Sequence, residues 1–104
     1  MIQKVFSIYD TKAQFFTAPF NMATLGLAVR LLNDLVNDRN TSIAKHPEDF
    51  ILYLIGEFND STAETINKIP PEMVCMASDH VKMQIPDLSS IIKTNLDDKT
   101  TKAA

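Results

Sequence analysis

The chain has 104 residues, of which 45% are apolar, with one cysteine and a formal net charge of −3. This length suits a single domain, and the slightly acidic balance excludes strong non-specific attraction to nucleic acid through overall charge. A lone thiol cannot form an intrachain disulfide, and no apolar run reaches the length of a transmembrane helix or a signal-peptide core, so the composition is typical of a reducing cytoplasm.

The first segment, residues 2–9, alternates along its length in the way that predicts a strand with one buried face. Residues 10–13, "DTKA", predict a tight turn, because the side chain of Asp10 can accept hydrogen bonds from the turn backbone. Residues 14–20, "QFFTAPF", predict a second strand that forms a hairpin with the first. Pro19 has no N–H, so this strand should end at the sheet edge or where the chain leaves the sheet.

The third segment changes to a helical period. Its main apolar positions are Leu25, Ala28, Leu32 and Leu35. Thr24 or Asn21 is the expected N-cap, and residues 37–40, "NDRN", should end the helix. Gly26 lowers helix stability by about 1 kcal/mol relative to alanine, which suggests that it permits close packing against the sheet.

The fourth segment, residues 50–58, "FILYLIGEF", is apolar on both faces. This pattern predicts a central strand covered on both sides, or an inner strand of a dimer. A buried helix is the alternative, but the short length and the aromatic and β-branched residues favour a strand. Residues 65–69, "TINKI", predict a fourth strand, and Pro70 and Pro71 should close the unit.

The element order predicts an α+β domain in which a small antiparallel sheet (ββαββ) packs against one main helix. We expect this domain to span residues 1–69. Residues 70–104 form a predicted C-terminal extension, helical or irregular, with a short helix beginning near Asp87 and about eight disordered residues at the end.

The chain lacks the residue patterns of the common catalytic and metal sites. Glu48 and Asp49 precede a strand, and neighbours in an extended segment point to opposite faces, so a turn is the better interpretation. Cys75 and two histidines fall short of a four-ligand zinc site. Two glycines exclude glycine-rich phosphate loops. We therefore expect no catalytic residue, no metal and no cofactor, and a protein that is not an enzyme.

Aromatic and basic residues are concentrated in the first half of the chain. Residues 1–45 carry five Lys/Arg and three acidic residues, whereas residues 46–104 carry five and ten. Aromatic rings beside cations on a sheet suit single-stranded nucleic acid, because bases stack on rings and phosphates pair with cations. The alternative is that these phenylalanines form the core, and at least one of Phe15 and Phe16 must face inward.

Residues 4–66 contain a set of short motifs in a fixed order. They are Ser7-Ile8-Tyr9-Asp10 with Lys12, Pro19-Phe20, Gly26 with Ala28 and Arg30, Val36-Asn37-Asp38, and Pro47 to Phe50 with Gly56-Glu57-Phe58. This set resembles the small nonstructural protein of the gokushoviruses, members of the Microviridae, which are phages with circular single-stranded DNA genomes. Leu27 departs from the family, which often carries a polar residue there, and the match does not extend past Pro70.

The resemblance implies a phage nonstructural protein that acts in the cytoplasm of the infected bacterial host, in replication or packaging of single-stranded DNA. The first hypothesis is therefore a homo-oligomer that binds single-stranded DNA. Its candidate contacts are Lys4, Tyr9, Lys12, Phe15, Arg30, Lys45 and Tyr53. The alternative is a protein–protein adaptor that binds a phage replication or capsid protein, or a host factor, through the apolar strand and the C-terminal helix.

Overall fold

The computed structural model describes residues 1–82, which form five strands and two α-helices. In chain order these are β1 (Ile2–Asp10), β2 (Phe15–Phe16), β3 (Phe20–Met22), α1 (Leu25–Val36), α2 (Ser42–Lys45), β4 (Phe50–Asn59) and β5 (Thr65–Met76). Single 3₁₀ turns lie at Pro47–Asp49 and Ala77–His80. The predicted α+β class with an antiparallel sheet and one main helix is confirmed. The predicted helix and disorder near the C-terminus lie outside the described residues.

The sheet has the order β2-β1-β4-β5, and every pairing is antiparallel. Strand β3 also pairs with β1, so the two short strands share one edge of β1. The hairpin between β1 and β2 and the central position of β4 are confirmed, but the strand predicted over residues 14–20 is divided into β2 and β3. Coverage of β4 on both faces is not found within residues 1–82, because each described α-helix contributes to, or packs against, the same core.

The core lies between one face of the sheet and α1. Its fully or nearly buried apolar side chains are Phe6, Ile8, Ala28, Leu32, Val36, Phe50, Leu52, Leu54 and Ala77. Strand residues enter it at every second position and helix residues at every fourth, as the two periods require. Burial of each large side chain stabilises the fold by about 1.5–3 kcal/mol.

Helix α1 begins at Thr24, whose Oγ1 accepts a hydrogen bond from the Leu27 N–H at 3.2 Å. Thr24, and not Asn21, is therefore the N-cap. The suggested role of Gly26 is wrong, because Gly26 is exposed and a Cβ there would meet only the Thr24 Oγ1, at 3.9 Å. Gly56 makes the close approach instead: a Cβ added to it would overlap the carbonyl oxygen of Ile66 on β5.

Strand β5 is longer than predicted and runs through Pro70 and Pro71, so the expected domain boundary falls inside it. Its pairing with β4 passes from Gly56↔Asn67 to Leu54↔Glu72, which leaves residues 68–71 in a bulge. Prolines cannot donate to a sheet ladder, which is why the sequence pattern predicts that the strand ends before them. They are accommodated because the bulge lies on the edge strand, where those donors are not needed.

Candidate nucleic-acid interface

The face of the sheet opposite α1 consists of uncharged side chains. Side chains that alternate along a strand, or lie opposite each other across a pairing, share a face. That register places on this face, among others, Val5, Ser7, Tyr9, Phe16, Ile51, Tyr53 and Met73, and we call this set the open face. Within residues 1–82 no helix packs on it.

Three rings on the open face contact one another, and we call Tyr9, Phe16 and Tyr53 the aromatic triad. The ring centroids of Tyr9 and Phe16 are 4.7 Å apart, and those of Phe16 and Tyr53 are 5.5 Å apart. Tyr9 and Tyr53 meet edge to face with centroids 6.5 Å apart. Such tilted contacts are favourable between aromatic quadrupoles. The triad is therefore a preformed aromatic surface, in which Phe16 is 45% exposed and both tyrosines are half-buried.

Hydrogen bonds to Thr17 fix Phe16 in the triad. The buried Ser7 Oγ donates to the Thr17 carbonyl at 2.7 Å, and the Thr17 N–H donates to the Ile8 carbonyl at 2.8 Å. The Thr17 hydroxyl accepts from the Ile8 N–H at 3.1 Å. Because Thr17 follows Phe16 directly, these bonds hold β2 against β1 and hold the Phe16 ring beside Tyr9.

The turn between β1 and β2 is closed by Asp10, as its residue type predicted. The Asp10 Oδ1 accepts from the backbone N–H groups of Lys12, at 3.0 Å, and Ala13, at 3.1 Å. This turn sets the register in which Tyr9 lies opposite Phe16. The register also places Phe15 opposite Asp10, on the other side of the sheet, where it is 59% exposed.

The structure brings together two of the seven predicted contact residues, Tyr9 and Tyr53, and adds Phe16, which the sequence interpretation left out. One of two adjacent phenylalanines had to lie on each face, but the choice depended on the length and geometry of the turn. The signal that could have identified Phe16 is the type of turn that "DTKA" forms.

The four predicted cations lie in different parts of the molecule. Lys4 alternates with Phe6 and so lies on the helix side of the sheet, where it lines a groove next to α1. Arg30 is exposed on α1, and Lys45 is exposed at the end of α2. Lys12 is exposed in the turn three residues after Tyr9, where it lines a recess with Asp10 and His46 on the helix side of this end of the sheet. Of the four, Lys12 is the one that follows the triad along the hairpin.

Glu48 and Asp49 form part of a turn, as predicted, but their side chains do not point to opposite faces of an extended segment. Residues Pro47–Asp49 form a 3₁₀ turn and not an extended segment. Ligand atoms of His46, Glu48 and Asp49 therefore lie within 4.8 Å of one another. Three such donors are one fewer than a structural zinc site uses. The Asp49 carbonyl accepts from the Thr11 N–H at 2.9 Å, so this turn supports the end of β1.

Cys75 is a partly buried side chain packed against the core. Burial raises the pKa of the Cys75 thiol, and the negative charge of Asp79 raises it further. A thiol is nucleophilic as the thiolate, so this environment opposes nucleophilic catalysis. Cys75 thus behaves as a small hydrophobic residue at the margin of the core.

Residues 1–82 contain no helix that is both long and apolar enough to cross a membrane. A family model described as Phage ORF5 protein matches residues 3–80. No curated protein and no solved structure matches the chain. The family match begins in β1, ends with the second 3₁₀ turn and includes the whole aromatic triad. Because it spans well over half of the chain, the protein belongs to the Phage ORF5 protein family.

Proposed function

We propose that this phage protein binds single-stranded DNA on the open face and assists genome replication or packaging in a microvirus related to the gokushoviruses. The role is non-enzymatic and is carried out in the cytoplasm of the infected bacterium. The observation that supports the proposal is the aromatic triad, because its rings lie on an uncovered sheet face and are partly exposed to solvent.

Stacking supplies most of the affinity in this proposal. A base stacked on an aromatic side chain contributes about 1–3 kcal/mol, and every base offers a ring face, so the binding tolerates any sequence. The exposed ring of Phe16 and the two half-buried tyrosines are close enough together for neighbouring bases to use them. This arrangement suits a protein that coats or delivers a genome without reading its sequence.

Charge supplies a smaller part of the proposed affinity for single-stranded DNA. Lys12 is exposed in the turn that follows Tyr9, whereas Lys4, Arg30 and Lys45 lie farther along the chain or next to the helices. The logarithm of the affinity for a single strand changes by about 0.7 per phosphate contacted for each unit of log salt concentration. With Lys12 as the main contact, we expect a shallow salt dependence, in contrast to the steep one that four clustered cations would give.

The deciding experiment is a fluorescence anisotropy titration of a labelled single-stranded oligothymidylate at two salt concentrations. Saturable binding at low salt, with a modest loss at high salt, supports the proposal. Absence of binding at low salt refutes it.

The adaptor function remains the second candidate, and the uncharged character of the open face favours it. A protein partner with an apolar surface can cover such a face without desolvating a charge. The test is binding of purified phage replication initiator or capsid protein to the immobilised chain. Loss of that binding on Tyr9→Ala, in a protein that does not bind DNA, would support the adaptor.

A further inference from the structure

The bulge in β5 presents an apolar side chain to solvent. Ile69 is 85% exposed, and it lies in the four-residue bulge of residues 68–71. Pro70 and Pro71 follow it, and their rings fix two backbone dihedrals, so the bulge has little freedom to fold the side chain away. Lone exposed apolar residues are ordinary, but an isoleucine held outward on a stiff bulge is suited to insertion into another surface.

A groove borders this bulge. It lies between the first turn of α1 and the β4–β5 pair, and its volume is about 410 Å³. Its apolar lining is formed by Leu25, Leu54 and Ile66. A smaller neighbouring recess is lined by Ile66 and Ile2, which are 61% and 54% exposed. The groove is therefore continuous with further apolar surface on the same side of the sheet.

The charges around the groove balance. Lys68 Nζ lies 3.2 Å from Glu72 Oε1 across the bulge, and Lys4 lies opposite Glu57 in the β1–β4 register. Two positive and two negative side chains thus line the groove, with a net charge of zero. A polyanion gains no net attraction at this groove, whereas the same neutral patch on a second copy of the chain meets no local charge repulsion.

We propose that two copies of this chain form a symmetric dimer in which Ile69 of each copy inserts into the groove of the other. A two-fold interface uses the same patch on both copies, so it requires a projection and a recess side by side. Lys68 and Glu72 flank Ile69 and also line the groove, which places the projection and the recess next to each other. The dimer leaves both open faces uncovered and does not depend on DNA binding.

The test is sedimentation equilibrium of the full chain over a dilution series. We expect a dimer for the wild type. Ile69→Ser should raise the dimer dissociation constant by a factor on the order of ten or more, because it removes a buried isoleucine from each half of the interface. Phe15→Ser is the matched control, since it removes an exposed apolar side chain at the far end of the sheet, and it should leave the constant unchanged.

A second variant tests the recess. Leu25→Gln places a polar group in the groove and should also weaken the dimer, while helical circular dichroism shows that α1 is intact. Because Ile69 and Leu25 meet across the proposed interface, the double variant should lose less dimerisation free energy than the sum of the losses in the two single variants. A wild-type monomer at every concentration, or a dimer insensitive to Ile69→Ser, would overturn the proposal. High salt should leave the dimer constant unchanged, and a steep salt dependence would equally count against it.

Discussion

The rings of Tyr9 and Phe16 contact each other in a tilted arrangement, with centroids 4.7 Å apart, although six residues separate them in the chain. The hairpin turn and the hydrogen bonds of Thr17 create this contact. The aromatic triad is therefore a property of the β1–β2 pairing. Changes in the hairpin should affect the DNA affinity even where they touch no ring.

Phe15 and Phe16 form a matched pair for testing the open face. We expect Phe16→Ala to weaken binding to single-stranded DNA by about 1–3 kcal/mol, the contribution of one stacked base. Phe15→Ala should leave affinity unchanged, because Phe15 lies on the other side of the sheet. Anisotropy titration measures both constants. Equal losses in the two variants would show that the open face is not the binding surface.

Lys12 and Arg30 test the charge contribution in the same way. Lys12→Ala should reduce the slope of log affinity against log salt concentration by about 0.7, the value for one phosphate contact to a single strand. Arg30→Ala should leave the slope unchanged, since Arg30 is exposed on α1. The measurement is the titration repeated at several salt concentrations. A change in the salt slope for Arg30→Ala but not for Lys12→Ala would show that the DNA lies on the helix side of the sheet.

The two glycines should respond to alanine in opposite directions. Gly56→Ala should destabilise the fold by about 1–3 kcal/mol, because its Cβ overlaps the Ile66 carbonyl and forces β4 and β5 apart. Gly26→Ala should stabilise it by up to about 1 kcal/mol, because the position is open and helical. Urea denaturation gives both values. An unchanged free energy of unfolding for Gly56→Ala would mean that β5 can move away from the added Cβ without loss of stability.

Cys75 should react slowly with iodoacetamide at neutral pH, because its raised pKa lowers the thiolate fraction. Asp79→Asn should speed alkylation by removing the negative charge, while its side-chain oxygen can still accept the Met76 N–H bond. The alkylation rate constants of the native protein, the urea-unfolded chain and native Asp79→Asn, each measured in a separate reaction, give these differences. A native rate equal to the unfolded rate would contradict the buried environment.

The same thiol links stability to pH. Its folded-state pKa lies above the ordinary value of 9.0, so its contribution to stability is fully present below that value. The contribution is lost as the pH rises through the folded-state pKa, since the unfolded chain releases the proton more readily. Cys75→Ala should therefore lose less stability than the wild type between neutral and alkaline pH in urea denaturation. An identical decline in both proteins would exclude this linkage.

Local patterns were sufficient to predict much of the fold. The spacing of Leu25, Ala28 and Leu32 predicts α1, and the apolar run from Phe50 predicts β4, because each depends on a period within one segment. Asp10 predicted its own turn for the same reason. The predicted strand is shorter than the observed β5, because Pro70 and Pro71 interrupt sheet hydrogen bonding in general. Only the sheet order shows that they lie on an edge.

The candidate site was harder to predict because it depends on register and tertiary arrangement. Tyr9 and Tyr53 are separated by 44 positions in the chain, and only the β1–β4 pairing brings them together. The choice of Phe16 over Phe15 depended on the geometry of one turn. The dispersal of Lys4, Arg30 and Lys45 depended on where the helices pack, which composition does not encode.

The bulge at residues 68–71 has a consequence for how molecules of this protein can accumulate. The outer edge of a sheet attracts additional strands, which leads to open-ended fibrils. Pro70 and Pro71 remove two N–H donors midway along that edge, and the bulge interrupts its regular spacing. Strand-by-strand addition through β5 is thereby disfavoured, because an incoming strand would find two donors missing and the spacing broken.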